Sequence, residues 1–485
     1  MSVSLRSFIK LGTLLLLPVL LFNGCQPGSN PATNEPPESL VSKIQSDVDY
    51  TADRVEKIRG LEFKKPVYAG LMTKAQFSEY LTSDPEWEQY TQNTSAITNM
   101  LIQTGYILKS HNITDFAKTL KDYYSGFPYA FYMPGKDSII IICQDGSCRD
   151  IAEQSKDYLF TTVLAHELTH ALQDQHFGLS PDTGSYARTT DFSYAKQCLH
   201  EGDASLVEGI YTYELFYGSG DYTANMASSF CMTLADTFYN GLDNRIYNFP
   251  KFMEVPSLAP YYIGAAWISG RYVDYQWNGV NERYRSGELS MLEVLSNDEL
   301  TPTPVLLNRF YKYMDKSGFW SEDVLGPMDI SLILNEFDSP GTLKEHLRSR
   351  YGYRGDRLIY WNPSSARNGS FIWAFAFGNI FSAEKAFQIL SSLVADDNDI
   401  SQRANLTSKT EVSSSHHEFV GEYKSAVITK DSLVWWVENL GENHQAVIEE
   451  ISNPQMVKAQ ISAPASAHNS IFSLLDRRRK LEKLR

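Results

Sequence analysis

The sequence predicts an α+β protein in which helices predominate, and two patterns support this expectation. Long segments, among them 156–175 and 193–216, repeat apolar residues at helical spacing. Shorter apolar runs bounded by turn residues, such as Ile139–Ile142, have the length of strands. Hydrophobic residues make up 43% of the 485-residue chain, which suffices for a large buried core.

The N-terminus has the pattern of an export signal. Arg6 and Lys10 precede an apolar run, 11–22, that is too short to span a bilayer comfortably. Cys25 follows the expected cleavage point and resembles a bacterial lipoprotein box, although Phe22 and Asn23 depart from its usual residues. We expect a lipid on Cys25 that anchors the chain to a membrane outside the cytoplasm. Ordinary secretion and an uncleaved anchor are the alternatives.

The remaining elements follow in chain order from apolar spacing. A Pro-rich tether with nothing to bury follows Cys25. Helices are predicted at 40–62, mainly through 73–110, and at 156–175, 193–216, 223–240, 263–275 and 382–394. Strands are predicted on both sides of a turn at Pro134-Gly135, and at 370–377, 418–429 and 432–438. The stretch 313–329 is interpreted as a loop, and Arg354-Gly-Asp356 as a turn.

Net charge excludes one class of partner. The chain carries a formal charge of −15, with a pI near 5.2. Contacts with phosphates need clustered Lys and Arg, so we expect no nucleic-acid partner.

Four cysteines remain after Cys25, an even number that is compatible with two disulfides in an exported chain. Cys143 and Cys148 flank the turn signal Asp145-Gly146, so a local pair is predicted there. Cys198 and Cys231 would then form the second pair by elimination. A four-cysteine zinc site is the competing interpretation, but the spacing lacks two C-x-x-C knuckles.

Residues 166–170 read His-Glu-Leu-Thr-His within an apolar-periodic segment. His166 and His170 are four residues apart, so on a helix they share one face, with Cβ atoms roughly 5–6 Å apart. Two imidazole nitrogens at this spacing can bind one ion at about 2.0–2.1 Å. Glu167 can reach a water on that ion. This is the H-E-x-x-H arrangement, so Zn²⁺ is the predicted cofactor and Glu167 the predicted general base.

A catalytic zinc site keeps three protein ligands and one open position, and two residues compete for the third place. His176 lies six residues beyond His170, the metzincin spacing, but Gln173 stands where metzincins have a glycine turn. Glu201, on the next predicted helix, would join a carboxylate to the two histidines, as in thermolysin. We favour Glu201, which leaves His176 at the helix end or behind the ligands.

The run 164–177 together with Glu201-Gly-Asp-Ala204 resembles the gluzincin clan of zinc peptidases. It is also similar to a group of prokaryotic secreted H-E-x-x-H proteins with a following E-G-D-A helix. Aminopeptidases of the clan carry an E-G-x-A whose Glu binds zinc, which implies the same role for Glu201. Pro260-Tyr-Tyr-Ile-Gly264 resembles a P-Y-x-x-G element of that group, and 353–357 resembles its W-G-G-D-R element weakly.

The resemblance implies a zincin-like core and hydrolysis of a peptide or protein substrate. Zinc-bound water would attack the peptide carbonyl while Glu167 takes its proton. Candidates for a second donor to the developing oxyanion are Tyr261, Tyr262 and His200. Asp203 and Glu208 are candidates for orienting a ligand imidazole, and Glu208 is also a distant substitute for the third ligand.

The sequence thus predicts four regions: a signal peptide (1–24), the lipidated cysteine with its tether (25–40), a metallopeptidase domain (41–320) and a C-terminal α+β region of unknown role (321–485). Two other functions are open: a zinc-binding lipoprotein or pseudo-enzyme that recognises a partner, and a metal-dependent hydrolase of non-peptide substrates. The intact Glu167 favours an enzyme, because a purely structural metal site needs no base beside its ligands.

Overall fold

A computed structural model describes residues 38–83, 91–107, 111–125, 129–143, 148, 150–151, 158–179, 189–242, 249–287, 289–296, 302–337, 347, 352–362, 368–395 and 408–453. The predicted signal peptide and Cys25, with most of the tether, lie outside these residues. Among the described residues, no helix is both long and apolar enough to cross a bilayer.

The fold is α+β and mostly helical, as the sequence predicts. The described helices are α1 (Glu38–Arg59), α2 (Lys74–Thr82), α3 (Thr94–Gln103), α4 (Phe116–Ser125), α5 (Tyr158–Phe177), α6 (Thr190–Tyr217), α7 (Asp221–Leu242), α8 (Lys251–Ala259), α9 (Ala265–Ser286), α10 (Met291–Ser296), α11 (Gly326–Phe337), α12 (Ile380–Ala395) and α13 (His444–Ser452). A π-helical turn, Pro260–Gly264, joins α8 to α9, and 3-10 turns cover Asn308–Tyr313 and Gly441–Asn443.

The strands form two sheets. They are β1 (Tyr68–Thr73), β2 (Ala130–Met133), β3 (Ser138–Cys143), β4 (Phe319–Asp323), β5 (Tyr353–Asn362), β6 (Ser370–Phe377), β7 (Ser408–Ser413), β8 (His416–Val420), β9 (Lys424–Lys430) and β10 (Leu433–Glu438). The small sheet has the order β1-β3-β2, with β3 parallel to β1 and antiparallel to β2. The large sheet has the order β4-β5-β6-β10-β9-β8-β7, and every neighbouring pair is antiparallel.

The small sheet forms because β3 is a run of isoleucines with a turn before it. The predicted turn at Pro134-Gly135 is confirmed, with Gly135 at a φ of +72°. Ile139 and Ile141 are fully buried and belong to a core shared with α1 and with α5. The sheet therefore packs beside α5, which carries the H-E-x-x-H residues.

The large sheet is covered on both faces, because alternate residues of its strands point to opposite sides. Trp373 and Trp436 join the core that includes α12. Trp435 and Val437 join a second core that includes α13. The first of these cores is one cluster of buried residues that extends from Ile97 to Trp436.

Several boundaries differ from the sequence predictions. The proposed division after residue 320 falls inside β4, which pairs with β5, so residue 320 does not separate two structural units. Segment 313–329 contains β4 and the start of α11 rather than a loop. Arg354-Gly-Asp356 lies in β5, not in a turn. The predicted strand at 418–429 is divided between β8 and β9, because 421–423 form the bend that joins them.

One predicted disulfide is present and the other is not. Cys143 and Cys148 are joined. Cys198 and Cys231 are buried free thiols on α6 and α7, so the predicted disulfide between them is wrong. Their sulfurs face different neighbours: Cys198 Sγ lies 3.8 Å from Met291 Sδ, whereas the Cys231 thiol lies beside Ser269. Burial raises the pKa of the Cys231 thiol to about 12.

Candidate metal centre

Helix α5 presents His166 and His170 on the side that packs against α6. It continues as regular helix to Phe177 and ends at Gly178, which adopts a φ of +71° and donates its N–H to the Asp174 carbonyl at 2.9 Å. Such a left-handed glycine is a usual helix terminator. The helix does not bend at Gln173, as the absence of a glycine there predicts.

Helix α6 begins at Thr190, after Thr189 caps it by accepting a hydrogen bond from the Phe192 N–H. An earlier residue of α5 contacts a later residue of α6, and the reverse: His166 contacts Glu208, whereas Gln173 contacts the carbonyl of His200. The two helices are therefore antiparallel, and Glu201 lies opposite the histidine pair.

The two histidines and Glu201 converge at one point. Glu201 Oε2 lies 3.1 Å from His166 Nε2 and 3.3 Å from His170 Nε2. The imidazole rings are 4.9 Å apart and nearly perpendicular. One ligand atom from each of the three residues lies within 4.8 Å of the other two, and no other group of three His, Cys, Asp or Glu among the described residues meets this condition.

These separations fit a metal ion. Two atoms bound tetrahedrally at 2.0–2.1 Å lie about 3.3–3.4 Å apart, close to the distances between Glu201 and the two imidazoles. Two imidazole nitrogens and one carboxylate oxygen form a donor set that suits Zn²⁺. The three side chains are buried, with 7–9% of each residue exposed, so charge placed there is weakly screened by solvent.

Glu208 holds the other side of His166. Its Oε2 lies 3.1 Å from His166 Nδ1, while Nε2 faces Glu201. Without a metal, burial lowers the pKa of His166, but hydrogen bonds with Glu201 and Glu208 outweigh it and raise the pKa to about 10. Burial also raises the pKa of Glu208. Because Glu208 contacts the nitrogen opposite the convergence point, it supports His166 and does not replace Glu201.

His170 is supported differently, by an amide. Its Nδ1 lies 3.0 Å from Gln173 Oε1. Asp203, the predicted orienting residue, does not contact a ligand imidazole directly: it accepts a hydrogen bond from Gln173 Nε2 at 3.2 Å and forms a buried ion pair with Arg59 at 2.8 Å. The structure corrects the predicted role of Asp203, because Gln173 stands between it and the imidazole.

Glu167 lies beside the three converging residues and against the small sheet. Its Oε2 accepts the N–H of Tyr132 on β2 at 2.7 Å. Among the described residues, none donates a hydrogen bond to its other oxygen. One oxygen therefore holds the side chain in place, and the second remains available to a water molecule.

The π-helical turn places one of the two candidate tyrosines at the site. Tyr261 stacks on His166, with ring centroids 5.9 Å apart and an interplanar angle of 24°. Tyr262 faces away, because its ring packs against Phe238 at 5.5 Å. Isolated π-helical turns occur frequently at functional sites.

The other two candidate histidines, His176 and His200, do not join the three converging residues. His176 lies at the end of α5, where Nε2 is 2.8 Å from the Glu62 carbonyl, so it lies away from the convergence point. His200 is buried and stacks on Tyr284 at 5.4 Å, and Tyr284 in turn donates to Asp203. The ring of His200 thus packs against Tyr284, on the side of Asp203.

Sequence reasoning missed Gln173 and Arg59, whereas Glu208 was a candidate for orienting a ligand imidazole and does contact His166. Gln173 follows His170 by three residues on one helix, so spacing alone could have suggested it. Arg59 has no such signal, because it lies more than a hundred residues before His166.

Comparison with models of known protein families gave no match. Searches among curated proteins and among solved structures gave none either. The site is therefore interpreted from its own residues and geometry.

Proposed function

We propose that the chain is a zinc-dependent peptidase with a gluzincin-like ligand set of His166, His170 and Glu201. The observation that carries this proposal is the convergence of these three residues, with a glutamate beside them. A structural zinc site is closed by four protein ligands, whereas three ligands leave a position for water. We propose as well that the domain around these residues has the zincin-like core expected from the sequence.

Each residue then has a defined task. Zinc held by His166, His170 and Glu201 would lower the pKa of a bound water to near 7 and would polarise the carbonyl of the substrate. Glu167 accepts the proton of the attacking water through the oxygen that Tyr132 does not hold. Tyr261, stacked on His166, is the better placed of the two tyrosines to donate to the developing oxyanion.

The position of β2 supports a peptide as the substrate. This strand is at the edge of the small sheet, and the Tyr132 N–H donates to Glu167 instead of β3. In an antiparallel ladder the backbone groups of alternate residues point outward, so Ala130 and Tyr132 both direct theirs away from β3. An extended peptide can bind such an edge through main-chain hydrogen bonds, and it would pass beside Glu167.

We also propose that the enzyme works outside the cytoplasmic membrane, held by a lipid on Cys25. The Cys143–Cys148 disulfide supports this location, because disulfides persist in oxidising compartments. Palmitate labelling of the wild-type chain and of Cys25→Ser tests the anchor. If Cys25→Ser still partitions with membranes, the anchor is elsewhere.

The test of the activity is Glu167→Gln, which keeps the size of the side chain and removes its basicity. Peptide-library or casein cleavage should fall by about 10²–10⁴-fold, while zinc stoichiometry stays near that of the wild type. Chelation of zinc should abolish wild-type cleavage, and added zinc should restore it.

Glu214→Gln is the matched control, because Glu214 lies on α6 and pairs with Arg54 instead of a ligand. It should leave both zinc content and cleavage unchanged. Undiminished cleavage in Glu167→Gln would exclude Glu167 as the base. Zinc binding without cleavage of any peptide by the wild type would favour a binding protein or a hydrolase of other substrates.

A further inference from the structure

Gln173 is almost completely buried, with 1% of the residue exposed, and its amide is surrounded by polar groups. The Nε2 atom lies 3.0 Å from the His200 carbonyl oxygen and 3.2 Å from Asp203 Oδ2. Oε1 lies 3.0 Å from His170 Nδ1. Each end of the amide therefore has partners, and these partners determine which way the amide is oriented.

The chemistry of these partners allows one arrangement. A backbone carbonyl and a carboxylate only accept hydrogen bonds, so the NH₂ group of Gln173 must face His200 and Asp203. The amide oxygen then faces His170 and can only accept, so Nδ1 of His170 must carry the proton. The remaining nitrogen, Nε2, presents its lone pair on the side of Glu201, 3.3 Å from Oε2.

Asp203 is itself held from two further helices. Arg59 of α1 donates to both of its oxygens, at 2.8 and 3.2 Å, and Tyr284 of α9 donates to Oδ2 at 2.9 Å. The Arg59 side chain is fully buried and its guanidinium lies 4.4 Å over the ring of Trp277. A buried ion pair with this many donors holds the carboxylate in one position.

We propose that Gln173 is a positioning residue that sets His170 in the tautomer able to bind zinc through Nε2. We further infer that Arg59, in the first described helix, acts on the metal centre through Asp203 and Gln173. The inference rests on the proposed function to the extent that it requires zinc at His170.

The experiment measures zinc dissociation constants by chelator competition, together with the thermal stability of each metal-free chain. Gln173→Leu removes both hydrogen-bonding ends, and it should weaken zinc binding by about 10–100-fold, the usual effect of losing a residue that orients a metal ligand. Arg59→Met should weaken it as well. Because Arg59 acts through Gln173, the double variant should bind zinc no more weakly than Gln173→Leu alone.

Gln175→Leu is the matched control. Gln175 lies two residues further along α5 and accepts the Lys64 N–H at 2.7 Å, but it does not touch a ligand. Its loss should leave zinc affinity unchanged. Because removal of buried Arg59 can unfold the chain, Tyr284→Phe gives a milder test. This variant should lose less zinc affinity than Arg59→Met, and in a chain that already carries Gln173→Leu it should cause no further loss.

Wild-type zinc affinity in Gln173→Leu would overturn the role of Gln173. The connection through Asp203 would be overturned if the loss of zinc affinity in Gln173→Leu added in full to the loss in Arg59→Met and to the loss in Tyr284→Phe. A wild-type chain that binds no zinc at all would refute the proposed function and this inference together. Zinc binding that depends on Gln173 in a chain without peptidase activity would refute the proposed function alone.

Discussion

Gly202 follows the proposed ligand Glu201, and its replacement by Ala tests the close packing on which the site depends. A Cβ atom at this position would lie 2.3 Å from the Gly264 oxygen and 2.4 Å from the Gly264 carbonyl carbon. A Cβ on Gly264 would in turn lie 2.5 Å from the Cys198 oxygen. Helix α6 and the π-helical turn therefore touch backbone to backbone, and only glycine fits on either side.

The magnitude follows from these distances. The added methyl would be about 1 Å too close for ordinary carbon contact, and backbone atoms cannot rotate out of its way. Overpacking of this kind costs about 1–3 kcal/mol, which outweighs the roughly 1 kcal/mol that Ala gains over Gly within a helix. Separation of the two segments also displaces Glu201 and Tyr261, so zinc affinity should fall as well.

Gly209→Ala, on the same helix, is the control. Its Cβ would meet Ala227 Cβ at 3.6 Å and Cys231 Sγ at 3.7 Å, which are ordinary contacts. We expect Gly209→Ala to raise the free energy of unfolding by up to about 1 kcal/mol and Gly202→Ala to lower it. Urea denaturation of the metal-free chains measures both. Equal stability of the two variants would refute the packing argument.

Two further predictions concern the ligand set and pH. Glu201→Ala should abolish zinc binding, whereas His176→Ala should keep it, because His176 contacts the Glu62 carbonyl; zinc analysis that finds loss only in His176→Ala would overturn the assignment. Burial, together with Asp323, Asp356 and Asp191, raises the pKa of Asp329 well above its usual range. A raised folded-state pKa stabilises the fold below the unfolded value, about 3.9, and that stability is lost as pH rises. The free energy of unfolding of the wild-type chain should therefore decline above pH 4 by up to about 1.4 kcal/mol per pH unit, and Asp329→Asn should remove this decline. Urea denaturation between pH 4 and 8 measures this, and equal slopes for both chains would contradict it.

The elements that sequence predicted best are those with a strong local signal. The 3.6-residue period located α5 and α6 within a few residues, and Pro134-Gly135 located the turn between β2 and β3. Strand β5 was missed, because it is buried on both faces and lacks the polar–apolar alternation of a half-exposed strand. The division at residue 320 failed because a core that extends to Trp436 joins both sides of it.

The sequence by itself determined the part of the candidate metal centre that lies within one helical turn. His166, Glu167 and His170 share a short stretch of backbone, so helix geometry alone brings their side chains together. The tertiary structure decided the rest. The packing of α6 against α5 places Glu201, and not His176, beside the histidine pair. The π-helical turn places Tyr261 against His166, and the docking of α1 brings Arg59 to Asp203. These contacts join residues far apart in the chain, and their positions depend on how helices pack, which local spacing does not specify.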